Sequence, residues 1–417
     1  MLRLVNASRG YDWGSTADIP RFLGEVPDGK PVAEVWIGTH PLAPSTDDDG
    51  TSLQEAAGEL PFLVKLLAAD RPLSLQVHPN RAMAREGFAA EEAAGIPLDA
   101  PDRTYKDPHH KPEMAYALTT FDTLVGFRPT AEILRVLIGL NTTMTRKLAE
   151  NLNASPGFPG IVKLVEQLLA EPPSVDEIAE ALASCRELTE QGIDIKRAYV
   201  TALEIADYYP EDVGVIISMM LNRLTLQPGE AAFLGTGIIH SHLKGLCLEV
   251  MASSDNVLRA GLTSKSLDPA GLVRCLGTGM SRLARVTPEP FGFSTSIFSP
   301  DVDEFALAVS QCSDGYRDHT PLPPGGKRIL VCTGGEVVVV NSAGERIVMA
   351  RGDSVYAGPE DGALTIEGTG EVAQAYQPTS DTVVGELIDL VPPYEERMKR
   401  SEQRLTQDRR DRGPSAR

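Results

Sequence analysis

Four short segments carry side chains whose types and spacing suit divalent-metal chemistry on a small anion. In Leu75-Gln76-Val77-His78-Pro79-Asn80 the amide and the imidazole are two residues apart. In an extended strand both project from one face while Val77 turns to the other. An amide oxygen and an imidazole nitrogen are both divalent-metal ligands. In His109-His110-Lys111-Pro112-Glu113-Met114, Pro112 drives Lys111 towards extended backbone, which sets Lys111 and Glu113 on a common face. His240-Ser241-His242 opens a strand running through Leu246-Cys247-Leu248-Glu249-Val250-Met251, and one or both imidazoles are candidate ligands. Finally, Ser253-Ser254-Asp255-Asn256-Val257-Leu258-Arg259-Ala260-Gly261-Leu262-Thr263-Ser264-Lys265 leads a polar turn into two cations, a pairing suited to an anion subsite. Each segment alone reads as readily as solvated surface: a polar strand pair, an incidental Lys–Glu pair, a His-rich turn, a loop.

Side chains at such spacings need strands to aim them. Pro61 to Leu67 is an apolar run, and Leu73 to His78 alternates apolar and polar before the turn at Pro79-Asn80. Residues 1–127 read as short strands separated by turns. After Arg128-Pro129 the period becomes helical, with helices predicted over 131–140, Phe158–Glu171 and Asp194–Tyr208. Ser174 and Glu177 form a capping box. It opens a helix whose apolar stripe is Val175, Ile178, Leu182, Cys185 and Leu188. Strands return at Asn222–Leu226, and Gly and Pro punctuate the chain at short intervals almost to Pro393. Leu226-Gln227-Pro228-Gly229-Glu230 followed by Gly237, and Ala350-Arg351-Gly352-Asp353 followed by Gly358, resemble the turn–strand–turn corners of cupin barrels. Two copies suggest two similar β-barrels.

The 417 residues, 42% hydrophobic and 23% charged, suit a soluble protein of two or three domains. A formal net charge of −19 repels phosphodiester backbones and anionic lipid, which argues against nucleic-acid and membrane partners. Five cysteines (Cys185, Cys247, Cys275, Cys312, Cys332) include no CxxC pair, so buried free thiols are expected rather than disulfides or a thiolate zinc site. No apolar stretch of signal-peptide or membrane-spanning length occurs near the start or at Val213–Leu221, which predicts a cytoplasmic protein. The tail from 394, with eight basic and five acidic residues, is expected to lie on the surface.

Taken together the four segments resemble the type I mannose-6-phosphate isomerases, zinc enzymes of the cupin superfamily. Leu75 to Asn80 matches the Q-x-H-P signature, His110 to Met114 the H-K-P-E-M signature, and Ala252 to Lys265 the S-D-N-V-x-R-A-G-x-T-x-K signature. Tyr11-Asp12-Trp13-Gly14 is similar to the family's Trp-Gly element, so the resemblance covers most of the chain. It implies a mainly β fold. A discontinuous catalytic jelly roll (1–127 and 222–288) would be interrupted by a helical insert (128–221) and followed by a second, metal-free jelly roll (289–393). It implies one Zn²⁺ per chain held by Gln76, His78, Glu113 and His240, a set without thiolates that is catalytic in type. It implies reversible isomerisation of mannose 6-phosphate and fructose 6-phosphate through a cis-enediol; no exposed repeat pattern demands association, so a monomer is expected. Arg259 corresponds to the family's essential arginine, and Lys111 beside Glu113 is the candidate base. Lys65, Ser74 and Lys265 are placed at the phosphate and hydroxyls, with Trp13, Glu249, His242 and Asp255 lining the substrate pocket.

Three positions depart from the family pattern. His242 stands where the family has Tyr, which puts the phenol contact in doubt. Gly235-Thr236-Gly237-Ile238-Ile239 lacks the usual Pro, and His109 replaces a frequent Asn. The competing reading is a sugar-phosphate sensor of the same fold without turnover. A cupin dioxygenase is disfavoured by Gln76 as a ligand.

Overall fold

A computed structural model of the chain describes residues 1–100, 103–265, 267–277, 284–313 and 320–378. The tail beginning at 394, and 379–393 of the expected second barrel, lie outside the described residues. The fold is mainly β, with an eleven-stranded and a nine-stranded antiparallel sheet among the described residues.

The strand His240–Ala252 organises the first sheet. It pairs with Phe62–Ala69, Leu75–Val77, Glu113–Ala117 and Phe121–Phe127. Strand alternation then decides what each face holds. Val64, Leu66, Ala68, Met114, Tyr116, Leu246, Leu248 and Val250 enter one apolar cluster. The other half of that cluster comes from the second sheet, through Phe298, Leu307, Val309, Ile329, Val331, Ala373 and Ala375. The two sheets are thus packed back to back. On the opposite face, beside Leu67, Ala115 and Cys247, the alternation leaves Lys65, Glu113 and Glu249, all buried.

Strand His240–Ala252 breaks its alternation once. Its register against Phe121–Phe127 slips between His242 and Lys244. Gly245 has φ 116°, and a β-carbon there would sit 2.4 Å from the Thr120 carbonyl oxygen. Glycine is required on both counts. His242 and Glu249 are an odd number of residues apart, so an unbroken strand would send them to opposite faces. Their side chains instead meet at 3.2 Å.

Between Phe121–Phe127 and Leu221–Leu226 the chain forms consecutive helices: Thr130–Leu140, Thr143–Ala154, Phe158–Ala170, Val175–Glu190, Ala198–Ala206 and Gly214–Ser218. The Ser174–Glu177 capping box forms with both reciprocal bonds. The helices pack their apolar residues on Leu75, Val77, Leu124, Leu258 and Ala260. They therefore brace Leu75–Val77 and Leu258–Gly261, the strands that also carry Gln76 and Arg259.

Several expectations need correction. Val175 is 51% exposed, because the buried stripe of its helix centres on Ile178, Ala181 and Cys185. The helix predicted over Asp194–Tyr208 is confined to Ala198–Ala206, with Lys196 and Arg197 at positive φ just before it. Residues 1–127 are not only strands and turns. Arg81–Ala93 is a helix whose Asn80 cap accepts from the Met83 N–H. It buries only Ala84 completely, and its inward stripe of Met83, Ala84, Gly87 and Phe88 is mostly half-buried. The helix Thr143–Ala154, capped by Thr142, was likewise not anticipated. The two glycine corners are present: Gly229 (φ 90°) and Gly352 (φ 97°) precede the short strands Ala231–Leu234 and Ser354–Ala357. All five cysteines are free, four of them buried. Among the described residues no helix is long and apolar enough to cross a membrane.

Candidate metal centre and substrate pocket

His78, just past the strand Leu75–Val77, converges with Glu113 and His240, each the first residue of another strand. One potential ligand atom from each lies within 4.8 Å of the others, and all three side chains are buried. His78 Nε2 is 3.4 Å and His240 Nε2 3.3 Å from the same Glu113 oxygen, Oε2. The far nitrogens are engaged by backbone: His78 Nδ1 lies 2.7 Å from the Asn256 carbonyl and His240 Nδ1 2.9 Å from that of Ile238. A carbonyl only accepts, so each Nδ1 carries the proton and each Nε2 presents a lone pair. Burial pushes His78 down to about 4, opposed by Glu113, so this imidazole is neutral near pH 7. A neutral ring with its proton on Nδ1 cannot donate to Glu113, and His78 Nε2 is a buried atom without a hydrogen-bond partner. Two lone pairs facing one carboxylate oxygen are reconciled by a cation between them. This donor set fits a divalent metal with backbone-oriented histidines.

Gln76 sits opposite His240 on one side and opposite Arg259 on the other. Its amide makes no side-chain hydrogen bond among the described residues, which leaves its oxygen available beside the triad. Lys111 Nζ is 3.1 Å from Glu113 Oε1. Burial works against ionising Glu113. Lys111, followed by the two histidines, outweighs it and holds the carboxyl well below the usual range.

A second buried polar chain runs along the same face. His242 meets Thr123 Oγ1 through Nδ1 at 3.1 Å and Glu249 Oε1 through Nε2 at 3.2 Å. Glu249 Oε2 is 4.0 Å from Lys65 Nζ, which is 3.3 Å from Glu34 Oε1. The Trp36 indole N–H donates to Glu34 Oε2 at 2.7 Å. Burial opposes the Lys65 ammonium, but Glu34, Glu249 and Glu113 together hold it above the ordinary lysine value. Asp255 is 3.1 Å from buried His40; burial opposes its charge, and the His40 contact outweighs burial to hold the carboxyl low.

Arg259 differs from these paired groups. It is half-buried and makes no ion pair or side-chain hydrogen bond among the described residues, and burial lowers its pKa with no carboxylate opposing. It lies near enough to Lys265 to lower that lysine in turn, with burial and Lys106 adding to the effect. Uncompensated cations in a protein of net charge −19 mark a place for an anion.

The sequence-predicted residues thus fall into groups. Gln76, His78, Glu113, His240 and Lys111 are together; Lys65, Glu249 and His242 form the adjoining chain; Arg259 and Lys265 make the cationic corner. Asp255 reaches the same region through the charges of Lys111 and Lys65. Trp13 stacks on Tyr11 at 5.6 Å and packs against the cluster containing Leu67, Ala115 and Cys247. Ser74 precedes the Gln76 strand but makes no side-chain hydrogen bond among the described residues. Sequence reasoning missed Glu34, Trp36, His40 and Thr123. The alternating Glu34-Val35-Trp36 is a weak signal, because Glu34 acquires meaning only through Lys65, thirty-one positions away.

Known proteins share the sequence and fold that carry this cluster. Residues 1–130 match the model of the phosphomannose isomerase type I catalytic domain. The mannose-6-phosphate isomerase of Escherichia coli K12 is 34% identical, over 90% of this chain and 99% of that protein. The human mannose-6-phosphate isomerase is 30% identical, over 85% and 92%. The Salmonella typhimurium mannose 6-phosphate isomerase bound to fructose 6-phosphate and zinc superposes with a TM-score of 0.82, at 34% identity, over 91% of this chain and all of that one. With a matching catalytic-domain model, relatives at 30–34% identity over most of their length and a shared overall fold, the chain belongs to the type I mannose-6-phosphate isomerase family.

Proposed function

We propose that the chain interconverts mannose 6-phosphate and fructose 6-phosphate with one Zn²⁺ bound by His78, Glu113, His240 and Gln76. The observation that carries this is the pair of Nε2 lone pairs, one with no hydrogen-bond partner, converging on one Glu113 oxygen. The zinc- and fructose 6-phosphate-bound relative supports both the metal and the sugar. A divalent cation there supplies Lewis-acid stabilisation of negative charge on a substrate oxygen. The chain's own groups supply the rest. Lys111 is the proton carrier between C1 and C2 through a cis-enediol. Arg259, already desolvated and unpaired, stabilises charge that develops on oxygen. Lys265 grips the phosphate, and Lys65, Ser74, Glu249, Asp255, His242 and Trp13 bound the sugar.

We extend the proposal to architecture. The eleven-stranded sheet is read as the core of a catalytic cupin jelly roll (1–127 with 222–288, of which Leu2–Leu4 pairs instead with Ser354–Ala357), 128–221 as its helical insert and the nine-stranded sheet as a second jelly roll. The second barrel is metal-free on this reading, because neither the Q-x-H nor the H-K-P-E segment recurs in it. The net charge of −19 favours a small substrate over polyanionic partners, for a cytoplasmic monomer.

Metal analysis together with a coupled isomerase assay tests the function. Stoichiometric zinc and turnover of mannose 6-phosphate are expected. Chelation is expected to abolish activity and zinc to restore it. Zinc and sugar phosphate bound without turnover would leave the sensor reading in its place.

A further inference from the structure

Asp107 belongs to none of the segments singled out for chemistry, yet its carboxylate accepts from four groups of the loops beside the metal cluster. Oδ1 accepts from the His109 N–H at 2.9 Å, from Ser254 Oγ at 2.9 Å and from Asn256 Nδ2 at 3.2 Å. Oδ2 accepts from the Asp255 N–H at 2.9 Å and from Ser254 Oγ at 3.1 Å. One side chain therefore staples Ser254-Asp255-Asn256 to the loop that enters Lys111 and Glu113.

Asn256, fully buried, completes the joint. Its Nδ2 donates to the Asp107 carbonyl at 2.7 Å and the His109 carbonyl at 2.8 Å, and its Oδ1 accepts from the Lys106 N–H at 2.7 Å. With its side chain held on two sides, its backbone carbonyl is presented to His78 Nδ1 at 2.7 Å. That contact selects the tautomer whose Nε2 lone pair faces Glu113. A free imidazole in water samples both tautomers, so the selection depends on a fixed carbonyl. The same staple fixes the backbone of Asp255 and the approach to Lys111.

We infer that Asp107 is a positioning residue for the metal centre. It locks Asn256, which orients His78, and so raises zinc affinity without touching the metal. Partners that orient a ligating histidine from outside the ligand set typically change metal affinity about 10–100-fold when lost. The inference rests on reading the His–Glu–His cluster as a zinc site.

The test is zinc affinity of the folded apoprotein, measured by chelator competition, with far-ultraviolet circular dichroism confirming the fold. Asp107→Asn keeps the volume but turns one acceptor into a donor aimed at a backbone N–H. Its zinc dissociation constant is expected to rise about 10–100-fold. Isotope-labelled histidine spectra of the metal-free protein are expected to show His78 losing its single Nδ1-protonated form, which general loosening elsewhere would not cause. Glu91→Gln is the control. Glu91 holds the same loop by accepting from the Thr104 and Tyr105 N–H groups at 3.0 and 2.8 Å, but has no bond to Asn256. It is expected to leave zinc affinity unchanged. Asn256→Asp, which removes the Nδ2 donors from the other side of the joint, repeats the test should Asp107→Asn fail to fold. Folded Asp107→Asn protein with wild-type zinc affinity overturns the role of Asp107 alone. A wild-type chain that takes up no zinc overturns the metal reading beneath it.

Discussion

At the scale of single residues, the cluster separates groups that hold the metal from groups that act on substrate, and the two should fail differently. His78→Ala and Glu113→Ala each remove a donor from a buried triad and are expected to lose most bound zinc, as measured by elemental analysis of the purified protein. Arg259→Ala removes an unpaired cation whose side chain makes no ion pair or hydrogen bond to a metal ligand, so zinc content should stay whole. Its kcat should fall about 10²–10³-fold, the range seen when a charge-stabilising donor is lost. A rise in KM with kcat preserved would make Arg259 a uniform binder instead. His242 is the informative departure from the family pattern. Both its ring nitrogens are taken, by Thr123 and Glu249. His242→Tyr is therefore expected to keep stoichiometric zinc and measurable turnover. Zinc lost there but kept in His240→Ala would mean that the ligand role belongs to the other histidine.

At the scale of elements, the helices and strands behind the cluster are tied by a few buried charges. Asp122, on Phe121–Phe127, is 2.6 Å from Arg223 on Leu221–Leu226 and also accepts from Thr225. Burial opposes its charge, but Arg223 and Thr225 outweigh burial and depress its pKa. A carboxyl lowered in the folded state contributes stability above its unfolded value near 3.8, and loses it as pH falls through the folded value. Asp122→Asn is therefore expected to cost about 1–3 kcal/mol at pH 7 and progressively less below pH 4, followed by urea unfolding of the two proteins across that range. Elements of this kind were unevenly legible. Strands with a sharp alternation and the Ser174 capping box could be read directly. The helix Arg81–Ala93 was not read, because its inward stripe of Met83, Ala84, Gly87 and Phe88 is made partly of small residues and is mostly half-buried. The ligand-bearing segments were readable because each is contiguous. Glu34, Thr123, His40 and Asp107 were not, because each is defined by a partner brought near only by folding.

At the scale of the whole molecule, the sheet that supplies no triad residue still bears on the metal centre. Met114 and Tyr116 follow Glu113 along its strand and enter the cluster shared with the second sheet. Phe298, 2% exposed, meets Tyr116 edge to face at 5.5 Å between ring centroids. Phe298→Ala is expected to destabilise the protein by about 3–5 kcal/mol. Because the apolar cluster is common to both sheets, their loss should appear as one transition in calorimetry. Two separated transitions would show that the shared cluster does not couple them.

The register slip between His242 and Lys244 gives the strand His240–Ala252 something like a reading frame. Residues before it count from one phase and residues after it from the other, and the two agree on a common face only because the slip adds one position. Length changes in this stretch should therefore be judged by parity before size. Removing a single residue between Gly245 and Glu249 would rotate Glu249 away from His242 and Lys65, whereas removing two would return it to the same side, one step along. A lineage of such proteins would be expected to tolerate even changes there and to purge odd ones, a selection on counting that no substitution at any single position would reveal.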